Sequence, residues 1–125
     1  MSSVLLHTDI IIEVLRERDE AILTRWRRLA VSPEPVLYTA VTTAELWHGI
    51  RTSEESRAQQ LLSALFCVPL TADIGRRAGG YLREFHASHG MGLGDALIAA
   101  TAKVHGCALW TRNHKHYPMK GLRFY

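Results

Sequence analysis

The sequence predicts an α/β protein, a three-layer α/β/α sandwich around a central, mainly parallel sheet. Three observations predict it. Short apolar runs (Val4-Leu5-Leu6, Val36-Leu37-Tyr38, Cys67-Val68-Pro69-Leu70, Ala108-Leu109-Trp110) recur between longer segments with helical periodicity. The runs are continuous, not alternating, as expected of strands covered on both faces. In Gly92-Leu93-Gly94-Asp95-Ala96-Leu97-Ile98-Ala99-Ala100-Thr101-Ala102 the only charge is Asp95; the rest is small and apolar all round, the pattern of a helix buried on most sides.

The elements follow in order. Val4-Leu5-Leu6 is the first strand, and Thr8 caps a helix over 8–18. A second helix, 19–30, turns Ile22, Leu23, Trp26 and Leu29 inward and leaves Arg25, Arg27 and Arg28 on a solvated face. Ser32-Pro33-Glu34-Pro35 is a loop before the second strand. Thr42 opens a helix through residue 50. Ser53 caps the next, whose inward stripe is Ala58, Leu61, Leu62 and Leu65. After the strand at 67–70, Thr71 precedes a helix with Ile74, Ala78, Tyr81, Leu82 and Phe85 at helical spacing. Gly79-Gly80 interrupts that pattern, at about 1 kcal/mol per glycine relative to alanine. Asp73 serves the dipole of this helix. The Asp95 helix, the strand at 108–110 and a terminal strand at 122–125 complete the chain, with Trp47 and Trp110 expected in the core.

A chain of 125 residues suits one domain, 1–125, with one substantial core. A composition 47% hydrophobic and 22% charged is that of a soluble globular protein. The net charge of +3 permits an anionic partner without requiring one. The apolar run 4–12 is broken by His7 and Asp9 and has no basic stretch before it, which excludes a signal peptide or a membrane span there. Cys67 and Cys107 lack metal-site spacing and are expected to be buried, reduced thiols of a cytoplasmic protein.

In open parallel sheets, ligands bind beyond the carboxyl ends of the strands. The polar residues expected there are His7, Thr8 and Asp9 after the first strand, Glu45 after the second, and Thr111, Arg112 and Asn113 after the fourth. Asp95 joins them if its helix packs antiparallel to the strand that follows. Each acid alone has a structural reading: Thr42-Thr43-Ala44-Glu45 as a capping box, Asp9 in a first helical turn, Asp95 as an N-cap. Together, three acids and Asn113 at one edge repel unless a cation neutralises them. Oxygen ligands of this kind select Mg²⁺ or Mn²⁺, which lowers the pKa of a bound water and stabilises charge on a phosphodiester. His7 reads either as a hydrogen-bonded structural residue or as a ligand. The Glu-x-x-His of Glu45 and His48 occurs once and lacks a four-helix pattern, so it does not point to a di-iron bundle. His114-Lys115-His116 follows the site strand and can face a phosphate.

Four segments, in order, resemble the PIN-domain family and, within it, the VapC toxins of prokaryotic toxin–antitoxin pairs. They are Val4-Leu5-Leu6-His7-Thr8-Asp9-Ile10-Ile11-Ile12-Glu13-Val14-Leu15, Thr42-Thr43-Ala44-Glu45-Leu46-Trp47-His48-Gly49, Gly94-Asp95-Ala96-Leu97-Ile98-Ala99-Ala100-Thr101-Ala102, and Leu109-Trp110-Thr111-Arg112-Asn113. The resemblance implies a Mg²⁺- or Mn²⁺-dependent endoribonuclease. By motif match Glu45 and Asp95 are metal ligands, Asn113 takes the fourth position and Asp9 a third, close to the metal. Thr8, Thr111, Arg112, Lys115 and Arg51 become candidates for contact with RNA, its phosphates especially. The implied partners are a small antitoxin, an RNA substrate and a second copy of the chain, with no membrane. One departure stands out: His7 occupies the place of the family's first acid. Imidazole suits Mn²⁺ better than Mg²⁺, and protonated imidazole repels both. Two expectations follow: a ribonuclease toxin weakened by His7, or a PIN-fold binding module that keeps its dimer and antitoxin contacts. A phosphatase would use the same acids, but the chain has no Gly-rich phosphate loop.

Overall fold

A computed structural model describes residues 3–125. Strand β1 (Val4–Leu6) leads into α1 (Thr8–Arg16) and α2 (Glu20–Ala30). Next come β2 (Val36–Thr39), α3 (Ala40–Gly49), a 3₁₀ turn at Thr52–Glu54, α4 (Glu55–Ser63) and β3 (Phe66–Val68). The last part holds α5 (Ala72–His89), α6 (Leu93–His105), β4 (Ala108–Trp110), a 3₁₀ turn at His114–His116 and β5 (Arg123–Phe124). All strand pairs are parallel, in the order β3-β2-β1-β4-β5.

Alternation along β1 divides the core. Leu5, opposite Leu37 and Leu109, faces Ile74, Ala78, Ala96, Ala99 and Ala100 of α5 and α6. Val4 and Leu6 face the other way, with Trp110, onto Ile10, Ile11, Ile22, Leu29, Leu46 and Leu62. Both faces are thus covered, which is why the strands read as continuous apolar runs. The predicted three layers are observed. The chain builds outward from β1 on one side through β2 and β3, and on the other through β4 and β5. The carboxyl ends of β1 and β4 are therefore the switch point of the sheet.

Several local expectations are corrected. His7, not Thr8, is the N-cap of α1: its Nδ1 lies 3.2 Å from the Asp9 amide. Helix α1 ends at Arg16, not 18, because Glu17 adopts a left-handed conformation at φ 53°. Strand β2 runs straight into α3, so that helix starts at Ala40, two residues before Thr42. No Thr42–Glu45 capping box forms, and Glu45 lies in the second turn. Asp95 is not an N-cap; Gly92 takes that position. Ser53 lies within the 3₁₀ turn, where the Arg51 amide donates to Glu54 (2.8 Å). β3 begins at Phe66 and stops before Pro69, which has no N–H to give a ladder.

As an edge strand, β3 leaves Cys67 exposed, whereas Cys107 is buried as expected. Trp110 is core, but Trp47 is 38% exposed. Helix α5 continues through Gly79 and Gly80, because its packing against α6 outweighs their low propensity. Among the described residues no helix is long and apolar enough to cross a membrane.

Candidate functional site

The site is built where β1 and β4 end. The His7 amide donates to the Trp110 carbonyl (2.9 Å), extending the β1–β4 ladder by one residue. Helix α1 starts there, which sets Thr8 and Asp9 on its first turn. Helix α6 opens at the same edge, as the antiparallel packing argument anticipates. His7 joins the two acids: its Nε2 is 3.0 Å from Asp95 Oδ1 and its Nδ1 is 2.9 Å from Asp9 Oδ1.

Each carboxylate is held by further donors. Asp9 Oδ2 accepts from the Thr111 hydroxyl (3.1 Å) and the Arg112 backbone N–H (3.0 Å). Asp95 Oδ1 accepts from the Tyr117 hydroxyl (3.1 Å). Glu45 Oε1 accepts from the buried Thr8 hydroxyl (2.6 Å), which also lies 3.1 Å from Thr42 Oγ1. Gly94 lets α3 and α6 approach: a Cβ there would stand 3.2 Å from Glu45 Oε2 and 3.3 Å from Val41 Cγ1. Glu45 therefore lies against the residue preceding Asp95.

Electrostatics favours a charged His7. Burial lowers its pKa, but the hydrogen bonds and charges of Asp9 and Asp95 together outweigh burial and raise it to about 9. The ring then donates at both nitrogens, and its 2.9 Å contact with Asp9 Oδ1 replaces the longer one from the Asp9 amide. Burial pushes Asp9 upward, but His7 and the Arg112 and Thr111 donors hold it below its usual range. The His7 hydrogen bond does the same to Asp95, against burial. Burial and the Asp95 charge push Tyr117 up, so it stays a hydroxyl donor.

The remaining expected residues sit further out. The Asn113 side chain is exposed, and the Asn113 backbone N–H donates to Thr111 Oγ1 (3.1 Å). Lys115 is exposed on the 3₁₀ turn at His114–His116. His114 stacks on Phe124, and His116 Nδ1 is 3.8 Å from Asp95 Oδ2. The Thr8 and Thr111 hydroxyls point to carboxylates. Arg112 is turned toward Glu13 (2.9 Å) and Asp19 (3.9 Å). Arg51 lines a separate groove with Arg16, Arg18 and Arg57. Tyr117 lies outside the four motifs, and Glu13 lies within the first without a role assigned to it there. Glu13 had a sequence signal: it lies four residues after Asp9, on the same face of α1.

A divalent ion suits part of this donor set. Asp9 Oδ1 is buried and receives no hydrogen bond from backbone or hydroxyl. The hydrogen bonds to Glu45 and Asp95 fall on Oε1 and Oδ1, so Glu45 Oε2 and Asp95 Oδ2 take no part in them. Glu45 Oε2 and Asp95 Oδ2 are hard oxygens open to a cation, and Asp9 Oδ1 joins them only where His7 gives it up. The His7 ring already neutralises two of the acids, and among the described residues no three potential ligands form a ready metal cage.

The PIN domain family model matches residues 4–122, the span from β1 to the residue before β5. This chain belongs to the PIN domain family. Ribonuclease VapC10 of Mycobacterium tuberculosis is 40% identical over 117 residues, 93% of this chain and 86% of the relative. Ribonuclease VapC19 of the same organism is 35% identical over 117 residues, 92% of each. Among solved structures, a toxin–antitoxin complex from Klebsiella pneumoniae superposes with a TM-score of 0.76 at 27% identity, covering 95% of this chain and 93% of that one. The PIN fold therefore extends over nearly all the described residues, with the three acids at the sheet's switch point.

Proposed function

We propose that this PIN domain is a metal-dependent endoribonuclease, the toxin of a toxin–antitoxin pair, working in the cytoplasm. The observation that carries the reading is the gathering of Asp9, Glu45 and Asp95 around the β1–β4 edge. The ribonuclease names of its relatives and the toxin–antitoxin complex of similar fold support it. Asp9, Glu45 and Asp95 would hold Mg²⁺ or Mn²⁺, with Asn113, further out on the loop after β4, as the fourth candidate ligand. Such an ion lowers the pKa of a water and stabilises charge on the phosphodiester. The chain's own residues prepare the site. Thr8 orients Glu45, Tyr117 orients Asp95, and the Thr111–Arg112 loop orients Asp9. Lys115, exposed beside the site strand, is free to meet a phosphate.

His7 weakens this activity. An imidazolium between Asp9 and Asp95 competes with any cation for the same oxygens. The same bridge favours a second reading, a PIN-fold binding module with little catalysis. One substitution separates them. His7→Asp should speed RNA cleavage with Mg²⁺ or Mn²⁺ by about a hundredfold or more, the equivalent of roughly 3 kcal/mol of transition-state stabilisation. Asp95→Asn in that background should remove the gain. If both the present chain and His7→Asp leave RNA intact, the nuclease reading fails and the binding module stands.

A further inference from the structure

We propose that Glu13 is a positioning residue of this site, acting on Asp9 through Arg112; the inference rests on the nuclease reading above. Glu13 lies one turn after Asp9 on α1, and its side chain is only 7% exposed. A carboxylate so deeply buried must be paired. Its Oε1 accepts from Arg112 Nη1 at 2.9 Å and from Arg18 Nη2 at 2.6 Å.

The Arg112 contact links Glu13 to the acids. The backbone N–H of that same arginine donates to Asp9 Oδ2 at 3.0 Å, and the Thr111 hydroxyl beside it donates at 3.1 Å. One helix therefore grips the loop after β4 at two points, by backbone through Asp9 and by side chain through Glu13. The grip orients Asp9 from a loop that is otherwise exposed at Arg112 and Asn113. Two donors held on Oδ2 leave Oδ1, the oxygen facing His7, directed into the site. Arg18 supplies a second cation, so the pairing of the buried Glu13 carboxylate does not depend on Arg112 alone. Arg112 serves here as an anchor, with its guanidinium turned to Glu13 and Asp19 and away from the acids.

The test combines exchange and kinetics on the full chain. Glu13→Gln keeps the shape and removes the charge that holds Arg112. Backbone amide exchange at Arg112, followed by NMR, should accelerate by about tenfold, with the Leu109 and Trp110 amides still protected. RNA cleavage with Mn²⁺, measured in this chain and in His7→Asp, should lose about tenfold in kcat with KM within about twofold. Arg112→Gln, which keeps the backbone N–H, should lose the same, and the double variant no more than either single one. Additive losses in the double variant overturn the proposal, as does unchanged exchange at Arg112, or faster exchange with unaltered kcat in a chain that cleaves. If Glu13→Gln does not fold, Arg112→Gln alone decides by the same two readouts. If neither this chain nor His7→Asp cleaves RNA, the nuclease reading fails on its own, and exchange at Arg112 still decides whether Glu13 holds the loop.

Discussion

His7 carries one positive charge between two aspartates, and its free-energy contribution depends on pH. In the folded chain its pKa is about 9, against 6.5 for an unperturbed imidazole. A raised pKa contributes stability that is complete below the unfolded value and lost as pH rises through the folded one. The metal-free protein should therefore lose stability between about pH 6.5 and 9, by about 3 kcal/mol at most. Asp9 and Asp95, both lowered, give the complementary loss as pH falls below the ordinary carboxylate range. Urea unfolding in EDTA at pH 6, 7.5 and 9 measures it. A His7→Asn variant should show little slope over the upper window; an equal slope in both proteins would place its origin elsewhere.

Glycines on the two long helices have opposite roles. In α5 a Cβ added at Gly79 or Gly80 meets nothing within 4 Å, and the helix continues through both. Alanine at either position should raise stability by about 1 kcal/mol, because it costs less backbone entropy in a helix. Gly94 on α6 is the contrary case. Its Cβ would press on Glu45 and Val41 at 3.2 and 3.3 Å, so Gly94→Ala should lower both stability and activity by displacing Glu45. Urea unfolding of the three variants tests the contrast; stabilisation by Gly94→Ala would show that α3 gives way without cost.

At the scale of the molecule, the sheet order places β1 between β2 and β4, so three acids from three separate segments meet at one edge. Glu45 is exposed and Asp9 and Asp95 partly so, and the family resemblance carries the expectation about partners. The chain is expected to form a homodimer and to bind a small antitoxin encoded beside it. Because His7 already occupies the acidic site, a basic antitoxin side chain directed there should bind this chain more weakly than His7→Asp, without loss of the complex. Light scattering and calorimetry measure both; monomeric elution with no antitoxin binding would refute the expectation.

The sequence by itself determined the layers, the strand order of appearance and the carboxyl edge as the place to look. Apolar runs that do not alternate require cover on both faces, and Asp95 in a small apolar helix requires a partner. Tertiary structure alone decided what the motifs could not. The capping box at Thr42–Glu45 dissolved because β2 runs directly into α3, and local spacing does not report where a strand stops. Trp47 and Cys67 were exposed by their places on α3 and on an edge strand, which composition does not encode. Arg112 is a candidate phosphate contact by its motif, but only the fold shows its guanidinium on Glu13, and Tyr117 reaches Asp95 from outside the motifs. The Arg112–Glu13 contact joins residues 99 positions apart and needs α1 packed against the loop after β4; the Tyr117–Asp95 contact spans 22 positions and needs that loop to fold back onto the start of α6. His7 shows the limit most directly: its identity was plain in the chain, but its charge depends on two aspartates that only the fold places on either side.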